Sequence, residues 1–159
     1  MQDAEYSQNT LIDEFDTLQQ QLKILESENT ELRQRINEQE RSLTFLDAII
    51  QYLPTPVFVK DAHELRFVRL NQAGETLLGF SQEEIIGKTD YDFFPEAEAV
   101  SFTRKDEYVL SQGRLEDIAE EPIHTRSQGV RLLHTKKIPI YDWCRDTFFG
   151  AWRVAKGLV

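Results

Sequence analysis

The sequence predicts an α+β protein: a long coiled-coil helix followed by a five-stranded antiparallel sheet that carries its helices on one face. Three observations predict this architecture. Apolar residues recur with a seven-residue period from residue 11 to residue 50, a stretch without glycine or proline. Runs of β-branched and aromatic residues then alternate with turn residues. Helical segments bounded by capping residues and glycines separate the first two of these runs from the later ones.

The first fifty residues follow a heptad repeat with few exceptions. Ten of its twelve seam positions are apolar over nearly six heptads, which is typical of a coiled coil. The alternative is an amphipathic helix folded back on its own domain, but such helices rarely keep a strict repeat for this length. The predicted seam consists of Phe15, Leu22, Asn29, Ile36, Leu43 and Ile50 at a, and of Leu11, Leu18, Leu25, Leu32, Gln39 and Leu46 at d.

Asn29 indicates how two such helices pair. A buried amide at an a position meets its symmetry mate in a parallel dimer and is left unpaired in other registers. The flanking charges agree, since Glu28 can reach Arg33 of the partner subunit and Arg35 can reach Glu40 of the partner subunit. An antiparallel pairing would deprive Asn29 of its mate. We therefore predict a parallel homodimer.

The pattern divides the chain into four segments. Residues 1–10 are expected to be disordered, residues 11–50 to form the coil, residues 51–142 to form the domain core, and residues 143–159 to be an atypical segment with a candidate last strand. Predicted strands cover 56–60, 65–70, 115–125, 130–140 and 147–154. Caps mark the helices between them: Asn71 opens a short helix, Ser81 and Glu84 form a capping box, and Gly113 ends a longer helix that begins at Pro95.

Several motifs carry a family resemblance. Asp61 follows the first strand, Asn71 opens the first short helix, and LLGFSQEEIIGKTDYDFFP follows at the expected spacing. Over residues 46–142 the chain resembles the PAS domains of bacterial sensor histidine kinases and diguanylate cyclases. The resemblance implies a PAS fold and a role in sensing, signal transduction or dimerisation, as in two-component systems. It implies no particular ligand.

Composition restricts the partners and the compartment. The net charge is −10, with 11 acidic and 4 basic residues in 1–50, so binding to nucleic acid is not expected. Cys144 is the one cysteine, which fits a reducing compartment. Neither a signal peptide nor an apolar run long enough to span a membrane is recognisable. A cytoplasmic protein is expected.

No motif indicates catalysis. The sequence contains no glycine-rich phosphate loop, no zincin motif and no set of nucleophile, base and orienting residue. The expectation is a protein that is not an enzyme. Its partners are then itself and a kinase or another output domain.

Histidine and cysteine positions bear on cofactors. With the turn centred on Gln128, His124 is predicted to pair near Leu132 and His134 near Pro122, which makes the two histidines diagonal neighbours. Two histidines without a third ligand make a weak metal site, so no metal is expected. The resemblance disfavours haem, because the long helix lacks a histidine, and excludes a covalent flavin adduct, because Cys144 lies after the fourth strand. Non-covalent flavin stays open, and the cofactor is unknown.

A ligand would bind between the sheet and the helices. Its pocket is expected to be lined by the first two strands, residues 89–94 and the inner face of the long helix. Asn71, Tyr91 and Arg69 are the polar candidates. A helix cap is the commoner use of Asn71, and a core aromatic that of Tyr91.

The C-terminal residues depart from the family pattern. The Asp-Ile-Thr-like triplet that ends the last strand in relatives is absent, and the sequence stops at Val159 without an exit helix. A fragment of a larger sensor kinase and a stand-alone module are both open. In a stand-alone module, the signal is expected to leave through the coil.

Overall fold

A computed structural model describes the backbone of residues 2–142 and 147–158 and the side chains of residues 13–141. The chain divides into two compact units, residues 1–46 and residues 47–159. The first unit is helical, and the second contains a sheet with short helices. Among the described residues, no helix is both long enough and apolar enough to cross a membrane.

Helix α1 (Gln2–Tyr52) is the N-terminal element. It ends just before Pro54, as predicted, because the residue preceding a proline is disfavoured in helical conformation. The predicted disorder of residues 1–10 was wrong, since the helix begins at Gln2. These residues contain no helix breaker, and adding a residue to an existing helix avoids the cost of nucleation.

The predicted seam of α1 is solvent-exposed in the single chain. Its apolar side chains from Phe15 to Leu46 are between 51% and 66% exposed. Asn29 accepts a hydrogen bond from Nε of Arg33, one turn further along the same helix, at 2.7 Å. Leu11 lies outside the described side chains. The helix therefore presents an unburied apolar stripe, and its pairing with a second chain stays a prediction.

Five antiparallel strands form one sheet in the order β2-β1-β5-β4-β3. Strand β5 lies in the centre, between β1 and β4. The predicted core boundary at residue 142 was therefore too early, because the sheet is incomplete without its central strand. The strands are β1 (Val57–Asp61), β2 (Phe67–Leu70), β3 (Glu116–Thr125), β4 (Gly129–Asp142) and β5 (Thr147–Leu158).

The helices between β2 and β3 are α2 (Gln72–Leu78), α3 (Gln82–Ile85) and α4 (Glu96–Gln112), with a 3-10 turn at Asp90–Asp92. Their predicted ends are confirmed. The side chain of Asn71 caps α2, Ser81 and Glu84 form a capping box, and Gly113 ends α4 with a φ of +60° that favours glycine. These short helices cover one face of the sheet and enclose the core with it.

The core is built largely from aromatic and branched side chains. Phe94 packs edge-on against Phe102, with ring centroids 5.3 Å apart, and Phe93 packs against Phe67 and Phe80. The buried cluster consists of Phe58, Phe67, Leu70, Leu78, Ile85, Phe94, Phe102, Ile123 and Leu133. It includes side chains from the first two strands and the long helix, which the sequence predicted to line a ligand pocket.

The hairpin of β3 and β4 corrects the register predicted for the histidines. Pro122 pairs with Leu132 and His124 with Val130, because the turn is centred one residue earlier than predicted. The Thr125 hydroxyl fixes this turn by accepting from the Gln128 amide and donating to the Gly129 carbonyl, both at 2.9 Å. The predicted pairing of His124 near Leu132 was wrong.

Candidate functional site

Three charged side chains lie on apolar faces of their elements. Lys60 is two residues after the buried Phe58 in β1, and Lys137 is two residues after the buried Thr135 in β4. Alternate residues of a strand share a face, so both lysines face the interior. Asp106 belongs to the buried stripe of α4, whose members recur at helical spacing: Ala99, Phe102, Asp106 and Val109.

These groups meet in a buried ionic network, defined here as Lys60, Asp90, Asp106 and Lys137. Nζ of Lys60 donates to Oδ2 of Asp106 at 2.8 Å and also to Oδ2 of Asp90. Nζ of Lys137 donates to Oδ1 of Asp106 at 2.5 Å and to the carbonyl of Phe102 at 3.2 Å. None of the four residues is more than 4% exposed. Asp106 thus bridges two lysines that come from different strands.

The electrostatics of the network are balanced. Burial by itself would raise the pKa of Asp106, but the charges of Lys60 and Lys137, together with their hydrogen bonds, outweigh burial and lower that pKa to about 2. Two lysines face two aspartates, so the network carries no net charge when all four are ionised. Oδ1 of Asp90 is buried and makes no hydrogen bond within the described residues.

Aromatic rings surround the network. Nζ of Lys60 lies 4.9 Å from the ring centroid of Phe67, and Nζ of Lys137 lies 5.8 Å from that of Phe102. The surroundings match the predicted pocket lining: the first strand, the 89–94 segment and the inner face of the long helix. The predicted location therefore holds polar groups, but they are the chain's own ion pairs, which the sequence analysis missed.

Asn71 is wholly buried and bonded to the main chain on every side. Its Oδ1 accepts from the amides of Val57 at 2.8 Å and Gly74 at 3.0 Å. Its Nδ2 donates to the carbonyls of Ile50, Leu53 and Thr55 at 2.9–3.2 Å. The predicted role as a helix cap is confirmed. The amide has no hydrogen-bonding capacity left for a ligand, so the predicted ligand role finds no support.

The structure does not bring Arg69 and Tyr91 together with Asn71 around a common cavity. Arg69 donates through Nη1 to the Asp47 carboxylate and through Nη2 to the Asp47 carbonyl at 3.1 Å. Tyr91 is 55% exposed, so it is not the core aromatic that was considered. Ligand binding by these two residues stays a prediction.

His124 and His134 are not neighbours, contrary to the prediction, and each lies against a different carboxylate. Nδ1 of His124 lies 2.5 Å from Oε1 of Glu98, and Nε2 of His134 pairs with Oδ1 of Asp117. His63 lies in the exposed turn after Asp61, and the main-chain amide of His63 donates a hydrogen bond to the Asp61 carboxylate at 2.9 Å. Within the described residues, no group of three or more His, Cys, Asp or Glu side chains is placed to hold a metal ion.

An open groove of about 450 Å³ lies where α1 ends. Its lining contains aromatic, aliphatic and amide side chains but no charged one: Tyr52, Leu53, Pro54, Pro56, Gln72, Ala73, Thr76, Leu77 and Gln128. The groove lies beside Asn71, because its lining includes Leu53, whose carbonyl accepts from Asn71, and Gln72, the residue after Asn71.

Comparison with known sequences identifies two similarities. The family described as "PAS fold" matches residues 51–149. An uncharacterized protein of Sinorhizobium fredii, y4lL, is 44% identical over 101 residues, which make up 62% of this chain and 12% of that protein. The chain therefore spans only a small part of this relative's length.

Comparison with solved structures finds the same fold in distant proteins. Vibrio cholerae VqmA, described as a dimer with a target DNA, has a TM-score of 0.63 and 24% identity, and the match covers 73% of this chain and 51% of VqmA. The PAS domain of an HTR-like protein of Haloarcula marismortui has a TM-score of 0.61 and 17% identity, covering 79% of this chain and 99% of that domain. At these identities the likeness concerns the fold alone.

Proposed function

Since this chain belongs to the PAS family, we propose that it is a signal-sensing module that dimerises through α1 and couples the state of its domain to the coil. The observation that carries the proposal is the exposed heptad seam on a helix whose last residues belong to the domain. An apolar stripe that a single chain leaves exposed marks a surface for a partner. Asn29 favours a second copy in parallel register as that partner.

A matched pair of substitutions tests the dimer. Leu32→Lys places a charge in the seam at a d position, and Gln34→Lys places the same charge on the opposite face of the same turn. We expect light scattering to give a monomer mass for Leu32→Lys and a dimer mass for Gln34→Lys, because a lysine in the seam must lose its hydration. Equal masses for both variants would contradict the proposal.

A ligand-free scaffold that only dimerises, or docks a partner kinase, is the second candidate. The packed inner face favours it, since the ionic network and the buried cluster lie among the elements expected to line a ligand pocket. Native mass spectrometry and an absorption spectrum of the purified protein separate the two candidates. A co-purifying molecule supports the sensor, and an empty dimer supports the scaffold. DPO, to which VqmA is bound in a solved structure, is a ready probe.

We also propose that the chain is not an enzyme and does not bind nucleic acid. The basic residues of the network are paired with carboxylates, and the 1–50 segment carries a net charge of −7. An acidic coil repels phosphate backbones. We also propose that the protein works in the cytoplasm, since Cys144 is its one cysteine. Retention of the protein on a DNA column at physiological salt would contradict the proposal that it does not bind nucleic acid.

A further inference from the structure

Two side chains at the end of β2 hold the last part of α1 and the linker after it. Nδ2 of Asn71 donates to three carbonyls of residues 50–55, and Arg69 donates to both the carboxylate and the carbonyl of Asp47. The last carbonyls of a helix have no partner inside the helix, so side-chain donors stabilise its end. Residues 47–55 are therefore bonded to the domain at four carbonyls and one carboxylate.

Asn71 joins this helix end to β1. Its Oδ1 accepts from Val57, the first residue of β1, while its Nδ2 donates to Ile50 in the last turn of α1. Lys60, three residues further along β1, belongs to the ionic network. A continuous set of hydrogen bonds and main chain thus leads from Asp106 through β1 and Asn71 to α1.

We infer that Arg69 and Asn71 are positioning residues that transmit the state of the domain to α1. A displacement of β1 moves Val57, and the Asn71 amide carries that displacement to the carbonyls of residues 50–55. Arg69 binds Asp47 in the preceding turn of α1, so the end of α1 moves together with the domain. This inference rests on the proposed function, because it assigns the route by which domain and coil influence each other.

Thermodynamic linkage provides the test. Dimerisation stabilises the chain by mass action, so a domain that is coupled to the coil melts at a lower temperature when the protein is diluted. Residues 1–46 contain no tryptophan, and tryptophan fluorescence therefore reports on the domain alone. The size of the melting shift on dilution measures the coupling.

The decisive variant is Arg69→Gln, with Arg66→Gln as its control. Arg66 also pairs with an acidic residue, Glu64, and donates to the carbonyl of Gly87; among the described residues it makes no hydrogen bond or salt bridge to α1 or its linker. We expect the dilution shift to shrink in Arg69→Gln, to persist in Arg66→Gln, and to recover in part in Arg69→Lys, which can still pair with Asp47. One exposed ion pair contributes a factor of about 2 to 5 in an equilibrium constant, so the loss is partial.

The possible results distinguish a failure of the inference from a failure of the proposed function. If Arg69→Gln lowers the melting temperature but keeps the full dilution shift, Arg69 is only structural and the inference is wrong. If the unaltered protein is a monomer without any dilution shift, the proposed dimer fails, and the inference fails with it. A reduced shift in Arg69→Gln alone supports both.

Discussion

The ionic network yields a prediction about Asp106→Asn. Asparagine retains the shape of the side chain and one oxygen acceptor, but it removes the negative charge between Lys60 and Lys137. Lys137 is wholly buried and forms a salt bridge with Asp106. Breaking a buried ion pair by removing one partner costs about 3–5 kcal/mol. We expect a loss of about 3 kcal/mol in unfolding free energy at pH 7.

The pH dependence of this effect follows from the pKa of Asp106. Folding lowers that pKa from its ordinary value of 3.8 to about 2, which corresponds to a stabilisation of about 2 kcal/mol. Because the folded pKa is the lower one, the stabilisation is fully present above pH 3.8 and is lost as the pH falls through about 2. Asp106→Asn lacks this contribution at every pH.

Urea unfolding followed by tryptophan fluorescence at several pH values between 7 and 2 measures both effects. We expect the difference between the unaltered protein and Asp106→Asn to narrow by about 2 kcal/mol over this range. Asp117→Asn is the control, because Asp117 is exposed and its pKa, lowered by His134, belongs to a surface pair. Parallel pH profiles for Asp106→Asn and the unaltered protein would refute the reasoning.

Four further substitutions test other parts of the account. Asn71→Ala leaves five main-chain groups without their partner, and we expect urea unfolding to show a loss of at least about 3 kcal/mol. Gly74→Ala places a Cβ 2.4 Å from Cδ1 of the buried Leu70, for a loss of about 1–3 kcal/mol by the same measurement. Gly87→Ala meets no atom within 4 Å and costs about 1 kcal/mol through its positive φ, so a larger loss at Gly87 than at Gly74 would contradict the packing argument. Asn29→Leu is expected to raise the melting temperature and broaden the range of oligomers in light scattering, and an unchanged size without added stability would count against its role in register.

The sequence predicted the elements that depend on local patterns. The heptad, the caps at Asn71 and Ser81, and the glycine at the end of α4 are each encoded within a few neighbouring residues. The hairpin register was predicted less well, because a hydroxyl contact of Thr125 moved the turn centre by one residue. A period-two pattern alone does not determine such a shift.

Only part of the ionic network could be predicted from the sequence. The positions of Lys60, Lys137 and Asp106 on apolar faces are visible as charged residues that interrupt a period of two or of three to four. Asp90 has no such signal, because it lies in a 3-10 turn without a regular period. Which lysine meets which aspartate depends on the order of strands in the sheet.

The role of Asn71 shows the same limit. Its cap on Gly74 spans three residues and was predicted, whereas its bonds to Thr55, Leu53 and Ile50 span 16, 18 and 21 residues. Arg69 was predicted as a ligand contact, whereas its observed partner Asp47 lies 22 residues away in the sequence. Long-range partners of polar side chains require the folded structure.

Sedimentation equilibrium of the unaltered chain tests the central claim most directly, because the claim is that α1 joins two copies. One chain has a mass of 18.6 kDa, so two chains have twice that mass. We predict a mass of two chains at micromolar concentrations, with dissociation on dilution. A mass of 18.6 kDa throughout the accessible concentration range would contradict the account.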